Sequence, residues 1–300
     1  MNVGIIGLGK MGTAVAYLLM NAGYQVIGFD PNENAQKKAI NTGVHVVSTL
    51  AEMADQVRIF WLFVPAGKIV DDTIDQLLPH LQKGDIIIDG GNSKFTNSMR
   101  RAQTLSQKGM FFLDCGTSGG VWGKEKGFCL MVGGDNKAYE KVLPFFEAVA
   151  APNGVARVGN SGTGHYVKMV HNGIEYALLQ AYAEGFHLLK SGSFKDENLD
   201  LEQIARLWDS SSVIRSWLLE LALGIFEKDQ NFDAIAGEVA QGGTGKWTAE
   251  DAKKHNVPVL TLDASLQVRD WSQKTGGNYA TKLIALLRNA FGGHEVKKTK

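Results

Sequence analysis

Short apolar runs alternate with segments of helical period through the first half of the chain. Residues 3–6, 25–29, 57–64, 85–89 and 110–114 are strand-like and mostly bounded by Gly, Asp or Pro. Between them, residues 11–21, 34–41, 68–81 and 96–108 place apolar side chains at helical spacing. This alternation predicts a doubly wound parallel sheet with helices on both faces. Two more strands, 128–132 and 155–158, flank a helix starting near Asn136. Beyond residue 160 strand signals almost vanish. Helical segments follow at about 165–190, 200–209, 213–227, 248–256, 259–275 and 278–290. The expectation is an α/β chain with a sheet domain over 1–160 and an all-helical domain over 161–300.

The turn after the first strand reads Gly7-Leu8-Gly9-Lys10-Met11-Gly12 and opens a helix. In such a fingerprint the first glycine permits the tight turn, the second lets backbone approach a pyrophosphate, and the third lets helix and strand pack closely. Unpaired N–H groups at the helix amino end then favour phosphate. Asp30 closes the second strand, where a carboxylate accepts hydrogen bonds from ribose hydroxyls and repels a 2′-phosphate. The context predicts a Rossmann-type domain that prefers NAD to NADP, with Lys37 and Lys38 as a source of residual NADP use. Val64 and Asn92, at the carboxyl ends of later strands, are further candidate cofactor contacts.

A second pattern lies at the start of the helical half. Lys168, His171, Asn172, Glu175 and Tyr176 fall at positions 0, +3, +4, +7 and +8, so they share one helix face. A base, an acid and several hydrogen-bonding groups therefore line one rigid rod. Read blandly, this is a solvated polar stripe in which Glu175 pairs with Lys168. Met169, Val170 and Ile174 turn elsewhere and are expected in the core, as are Trp208, Trp217 and Trp271. Gln241-Gly-Gly-Thr-Gly-Lys246-Trp-Thr248 puts a lysine and a threonine behind flexible glycines. It is not a P-loop, because no strand precedes it and Trp247 stands where Ser or Thr is required.

Composition narrows the classes. Thirty-one basic residues balance 31 acidic ones, so no global field attracts nucleic acid or an anionic membrane. Cys115 and Cys129 make no disulfide framework, are expected to be buried, and lie in no zinc spacing; no metal is expected. No apolar run is long enough to span a bilayer. A cytoplasmic setting is the expectation.

Read together, GLGKMG, IIDGGNS, SGG, GTGHYVKMVHNGIEY and GGTGKWTA resemble, in order and spacing, the decarboxylating 6-phosphogluconate dehydrogenases. The wider β-hydroxyacid dehydrogenase group shares the fingerprint and SGG but not the KWT element. The resemblance implies NAD-linked oxidation at C3 of 6-phosphogluconate and loss of CO2 to give ribulose 5-phosphate. It makes Lys168 the general base and Glu175 the acid. Asn92, Ser118, Gly119, Gly120, His171 and Asn172 would hold the sugar acid; Tyr176, Lys246, Thr248 and Arg269 match the phosphate contacts. Arg288 and His294 keep the spacing of a tail motif that reaches a neighbouring subunit's site. The chain holds about one helical unit where longer members hold two, so it resembles the short form, and a homo-oligomer, dimer or tetramer, is expected. Two alternatives stand beside this one: a β-hydroxyacid dehydrogenase for a small unphosphorylated acid such as 3-hydroxyisobutyrate, and a non-catalytic NAD-sensing protein.

Overall fold

In the computed structural model, which describes residues 2–299, the chain divides into two compact units, one ending at Met169 and the other beginning at Val170. The first unit carries strands β1 (Asn2–Ile6), β2 (Gln25–Phe29), β3 (His45–Val46), β4 (Ile59–Leu62), β5 (Ile86–Asp89), β6 (Phe111–Ser118), β7 (Phe128–Gly134) and β8 (Ala150–Gly159). Its helices are α1 (Lys10–Asn21), α2 (Glu33–Asn41), α3 (Leu50–Ala54), α4 (Lys68–Leu77), α5 (Phe95–Ser106), α6 (Gly123–Lys126), α7 (Asn136–Val149) and the opening turns of α8 (Thr163–Ser191). The strands form one sheet in the order β3-β2-β1-β4-β5-β6-β7-β8.

Period-2 alternation explains why the central strands are apolar throughout. Ile59, Trp61, Ile86 and Ile88 enter one buried cluster; Phe60, Leu62 and Ile87 enter a second on the other face. With both faces covered by helices, no position on β4 or β5 is free to be polar until Asp89. Side-chain caps fix several helix starts: Asn32 for α2, Thr49 for α3 and Asp135 for α7 each accept a backbone N–H.

The sheet departs from the all-parallel expectation at one place, where β6 and β7 pair antiparallel. Their connection, residues 119–127, is too short for the dozen or more residues that a parallel crossover needs. The edge strand β3 has two residues, too few for a periodic signal.

The second unit contains the remainder of α8 and helices α9 (Leu201–Ser211), α10 (Trp217–Phe226), α11 (Gly243–Lys254), α12 (Leu260–Thr275) and α13 (Tyr279–Gly292). Its core joins Leu179, Ala183 and Phe186 of α8 to Leu219, Ala222 and Phe226 of α10 and Leu283, Ile284 and Leu287 of α13. These are helical spacings that put one stripe of each rod inward. Asn278 and Thr281 complete a reciprocal capping box at the start of α13.

Three local expectations change. The GGTGKWT segment is not a flexible loop: α11 begins at Gly243, so Lys246 and Thr248 stand on its first turns. Cys129 is exposed, because alternation along β7 turns it away from its buried neighbours. Ile174, Trp217 and Trp271 are 59%, 37% and 43% exposed rather than core. Arg288 lies buried within α13, close enough to Tyr176 and Glu175 of its own unit for their charges to act on it.

Among the described residues, no helix is long and apolar enough to cross a membrane. No group of three His, Cys, Asp or Glu there could hold a metal ion.

Candidate active site

The three glycines of the first turn meet three different environments. Gly7 has φ +95°, and a Cβ on it would lie 2.5 Å from the Phe63 carbonyl oxygen. A Cβ on Gly12 would fall 1.9 Å from the Gly7 oxygen, so α1 lies against the turn with no room for a side chain. A Cβ on Gly9 would meet nothing within 4 Å among the described residues, and Gly9 caps α1 with no side-chain bond. The turn is thus sealed at its ends and open in the middle, beside the free N–H groups of α1. That is the shape a pyrophosphate requires. The Asp30 carboxylate accepts from the backbone N–H of Leu8 at 2.7 Å and of Asn32 at 2.8 Å, which places it against the turn. Leu8 is buried, Lys10 and Met11 occupy the first turn of α1, and Val64 follows β4 with its side chain beside Gly7.

The loop after β5 is braced from beneath. Asp89, fully buried, accepts from Gly91 N, Ser93 Oγ and Arg101 Nη1. Arg101 also pairs with Asp71 and donates to the Gly67 carbonyl. This brace holds Asn92 at φ +52°, a left-handed conformation that costs energy unless its surroundings over-determine it. The Asn92 amide donates to Thr117 O at 3.2 Å and accepts from Thr117 N at 3.0 Å, tying the loop to β6. One of its N–H donors stays available to a ligand. At the end of β6, Ser118 is half-buried and precedes Gly119 and Gly120, whose φ values of +126° and +55° turn the backbone sharply. Lys168, on the opening turns of α8, is 6% exposed, and its stem passes over Gly116 of β6.

In the second unit, His171 Nδ1 lies 3.1 Å from Asn172 Oδ1, and Asn172 Nδ2 donates to Thr244 Oγ1 at 3.2 Å. Glu175 is half-buried. Tyr176 is buried, with its ring over Gly245 and its hydroxyl accepting from Gly242 N at 3.3 Å. The Arg269 guanidinium lies 3.4 Å from the Tyr176 ring centroid. Arg269 is 1% exposed, and neither of its terminal nitrogens has a hydrogen-bond partner among the described residues. Burial, the largest cause, and Arg288 push its pKa down to about 10, against the opposing pull of Tyr176 and Glu175. Burial lowers Arg288 as well. Thr248 is buried against Gly173, and Lys246 is exposed on the same helix. Arg288 and His294 line a cavity of about 150 Å³ together with Glu238, Gln273 and Lys297.

A buried cation with idle donors is costly, and an anion relieves that cost. In the second unit Arg269, Tyr176, Arg288 and Glu175 are near enough for their charges to act on one another. The sequence reading missed Thr244, which holds Asn172, and Asp89 with Arg101, which hold Asn92. None has a motif of its own; each is defined by what it touches.

Both units match known proteins. Residues 2–165 match the family model described as the NAD binding domain of 6-phosphogluconate dehydrogenase. Residues 164–300 match the model of the 6-phosphogluconate dehydrogenase C-terminal domain. The chain is 45% identical over 303 residues to the NAD(+)-dependent, decarboxylating 6-phosphogluconate dehydrogenase of Haloferax volcanii, covering 99% of both chains. It is 38% identical to the decarboxylating enzyme of Escherichia coli over 89% of its own length and 60% of that chain. The structure of 6-phosphogluconate dehydrogenase from Plasmodium falciparum superposes with a TM-score of 0.84 at 32% identity, over 91% of this chain and 62% of the other.

Proposed function

Because the chain belongs to the 6-phosphogluconate dehydrogenase family, we propose that it oxidises and decarboxylates 6-phosphogluconate to ribulose 5-phosphate with NAD. One observation carries the phosphorylated substrate: the buried Arg269 guanidinium whose terminal nitrogens are idle. A small unphosphorylated acid leaves that cation with no use, which disfavours the 3-hydroxyisobutyrate reading.

NAD binding follows from the family and the glycine turn. Preference for NAD is part of the proposal, supported by Asp30 against the turn and by the NAD(+)-dependent Haloferax relative. Held by Gly7, Gly9, Gly12 and Asp30, NAD would supply the acceptor for the hydride that leaves C3. The remaining steps fall to side chains. Lys168 takes the C3 hydroxyl proton, and its ammonium then donates to the new ketone oxygen. That hydrogen bond draws the electrons of the C1–C2 bond towards the C3 carbonyl as C1 leaves as CO2. Glu175, two helical turns along α8, protonates the carbon left behind. Asn92, Ser118, Gly119, Gly120, His171 and Asn172 orient the sugar acid. Arg269, Tyr176, Thr248, Lys246 and Arg288 hold the phosphate as a remote handle.

A homo-oligomer, dimer or tetramer, belongs to the same proposal. Its support is the apolar surface left bare on the second unit, including Leu188, Leu207, Val213 and Leu260, each more than two-thirds exposed. His294, exposed in the tail, is the residue offered to a second copy. A reducing cytoplasmic setting is supported by the two free thiols.

The test is a substrate comparison. NADH formation with 6-phosphogluconate should exceed that with gluconate by orders of magnitude in kcat/KM. Equal rates, or preference for 3-hydroxyisobutyrate, would remove the assignment. Absence of turnover on all three would favour the NAD-sensing alternative.

A further inference from the structure

One face of β6 carries three residues, two of which meet the start of α8. Asp114, Gly116 and Ser118 alternate along the strand, so they point to the same side. Asp114 is fully buried, and its two carboxylate oxygens accept backbone N–H groups from Gly162 at 2.6 Å and His165 at 2.9 Å. These are orphan donors of the helix amino end, and a carboxylate there also meets the positive end of the helix dipole. Two residues on, Gly116 has no side chain where the Lys168 stem passes; a Cβ there would lie 2.4 Å from Lys168 Cβ. Gly164 and Gly133 close the same contact. A Cβ on Gly164 would lie 2.3 Å from Asp114 O, and one on Gly133 would lie 2.7 Å from Gly164 N. Gly133 pairs with Asp114 across β6 and β7.

The helix therefore cannot slide along the strand, because the Asp114 bonds fix its height. It cannot lift from the sheet without breaking the glycine contacts. We infer that Asp114 and Gly116 are positioning residues for the reaction: they set the height of the Lys168 amine relative to Ser118, two strand positions further along the same face. This rests on Lys168 acting as the base, a role proposed above. Nothing in the glycine turn that holds NAD depends on it.

The change Asp114→Asn keeps the shape but sets an amide N–H₂ against one of the two backbone donors. Gly116→Ala leaves the cap intact and pushes the lysine stem directly, so it serves if the first variant folds poorly. Both are to be measured in single turnover with enzyme in excess over 6-phosphogluconate at saturating NAD, following NADH. A displaced amine lowers the rate constant while the amplitude stays whole; misfolding lowers the amplitude at the normal rate. A displacement near 1 Å lowers the rate on the order of tenfold to a hundredfold. The expected result is that loss of rate in both variants, full amplitude, and NAD affinity equal to that of the parent. A wild-type rate constant in Gly116→Ala, or loss confined to amplitude in both, overturns the inference. Lys168→Met, measured alongside, separates the two claims. If it still turns over, the base assignment fails; if it is dead while the other two run at the parent rate, only the positioning inference fails.

Discussion

The two units treat buried charge in opposite ways. In the first, three buried charges are saturated: Asp89 accepts three hydrogen bonds, Arg101 reaches Asp71, Asp89 and the Gly67 carbonyl, and Asp114 holds two helix N–H groups. In the second, Arg269 is as deeply buried, yet its terminal nitrogens have no hydrogen-bond partner among the described residues. A saturated ion is a brace, since its energy is spent on geometry. An idle one keeps its hydrogen-bonding capacity for whatever arrives, at the cost of standing desolvated until then. On the proposed function, the difference is that between residues that shape the site and residues that bind within it.

Substitutions in each class sharpen that contrast. The largest effect falls on Lys168→Met, which should abolish NADH formation while NADH still binds, as read by fluorescence titration; turnover above about one-hundredth of the parent contradicts its role as base. Next, Arg269→Gln removes charge-assisted bonds of about 1.5–3 kcal/mol each, so KM for 6-phosphogluconate should rise on the order of a hundredfold with KM for NAD unchanged. Equal rises in both would return Arg269 to a structural role. The glycine turn gives a contrast within one motif. Gly12→Ala should fail to fold, since its Cβ meets the Gly7 oxygen at 1.9 Å, whereas Gly9→Ala should keep its melting temperature and weaken NAD.

The turn was legible because its information is local: three glycines in six residues, a strand before and a helix after. The stripe on α8 was legible for the same reason, as it is one helical face. Arg269 and Tyr176 meet from distant parts of the chain, and no spacing announces a cation over a ring; only the family resemblance pointed there. Periodicity also finds a helix face without saying what covers it, which is why Ile174 and Trp271 read as core and stand exposed. Asp114 sits in a segment read for its serine and glycines. Its role emerges from the antiparallel β6–β7 pair, which the alternation of elements did not foretell.

Smaller effects test the idle cation further. With its pKa lowered by burial to about 10 in the fold, Arg269 is destabilising while protonated. That penalty is full below pH 10 and relieved as pH rises from about 10 towards the ordinary arginine range. Substrate binding has the opposite sign, since phosphate needs the charge. The Kd for 6-phosphogluconate should rise severalfold between pH 9 and 10.5 in the parent and stay flat in Arg269→Gln; parallel curves would contradict it. The smallest effect is on coenzyme choice. Asp30→Ala should lower the NAD/NADP ratio of kcat/KM by about tenfold through one lost charge-assisted contact, and an unchanged ratio would show that Asp30 serves the turn alone.

The most direct test of the proposed reaction is a stoichiometry: NADH by absorbance and CO2 by trapping, measured together during turnover of 6-phosphogluconate. One CO2 per NADH is the predicted result. NADH without CO2, or neither product, would contradict an oxidative decarboxylation.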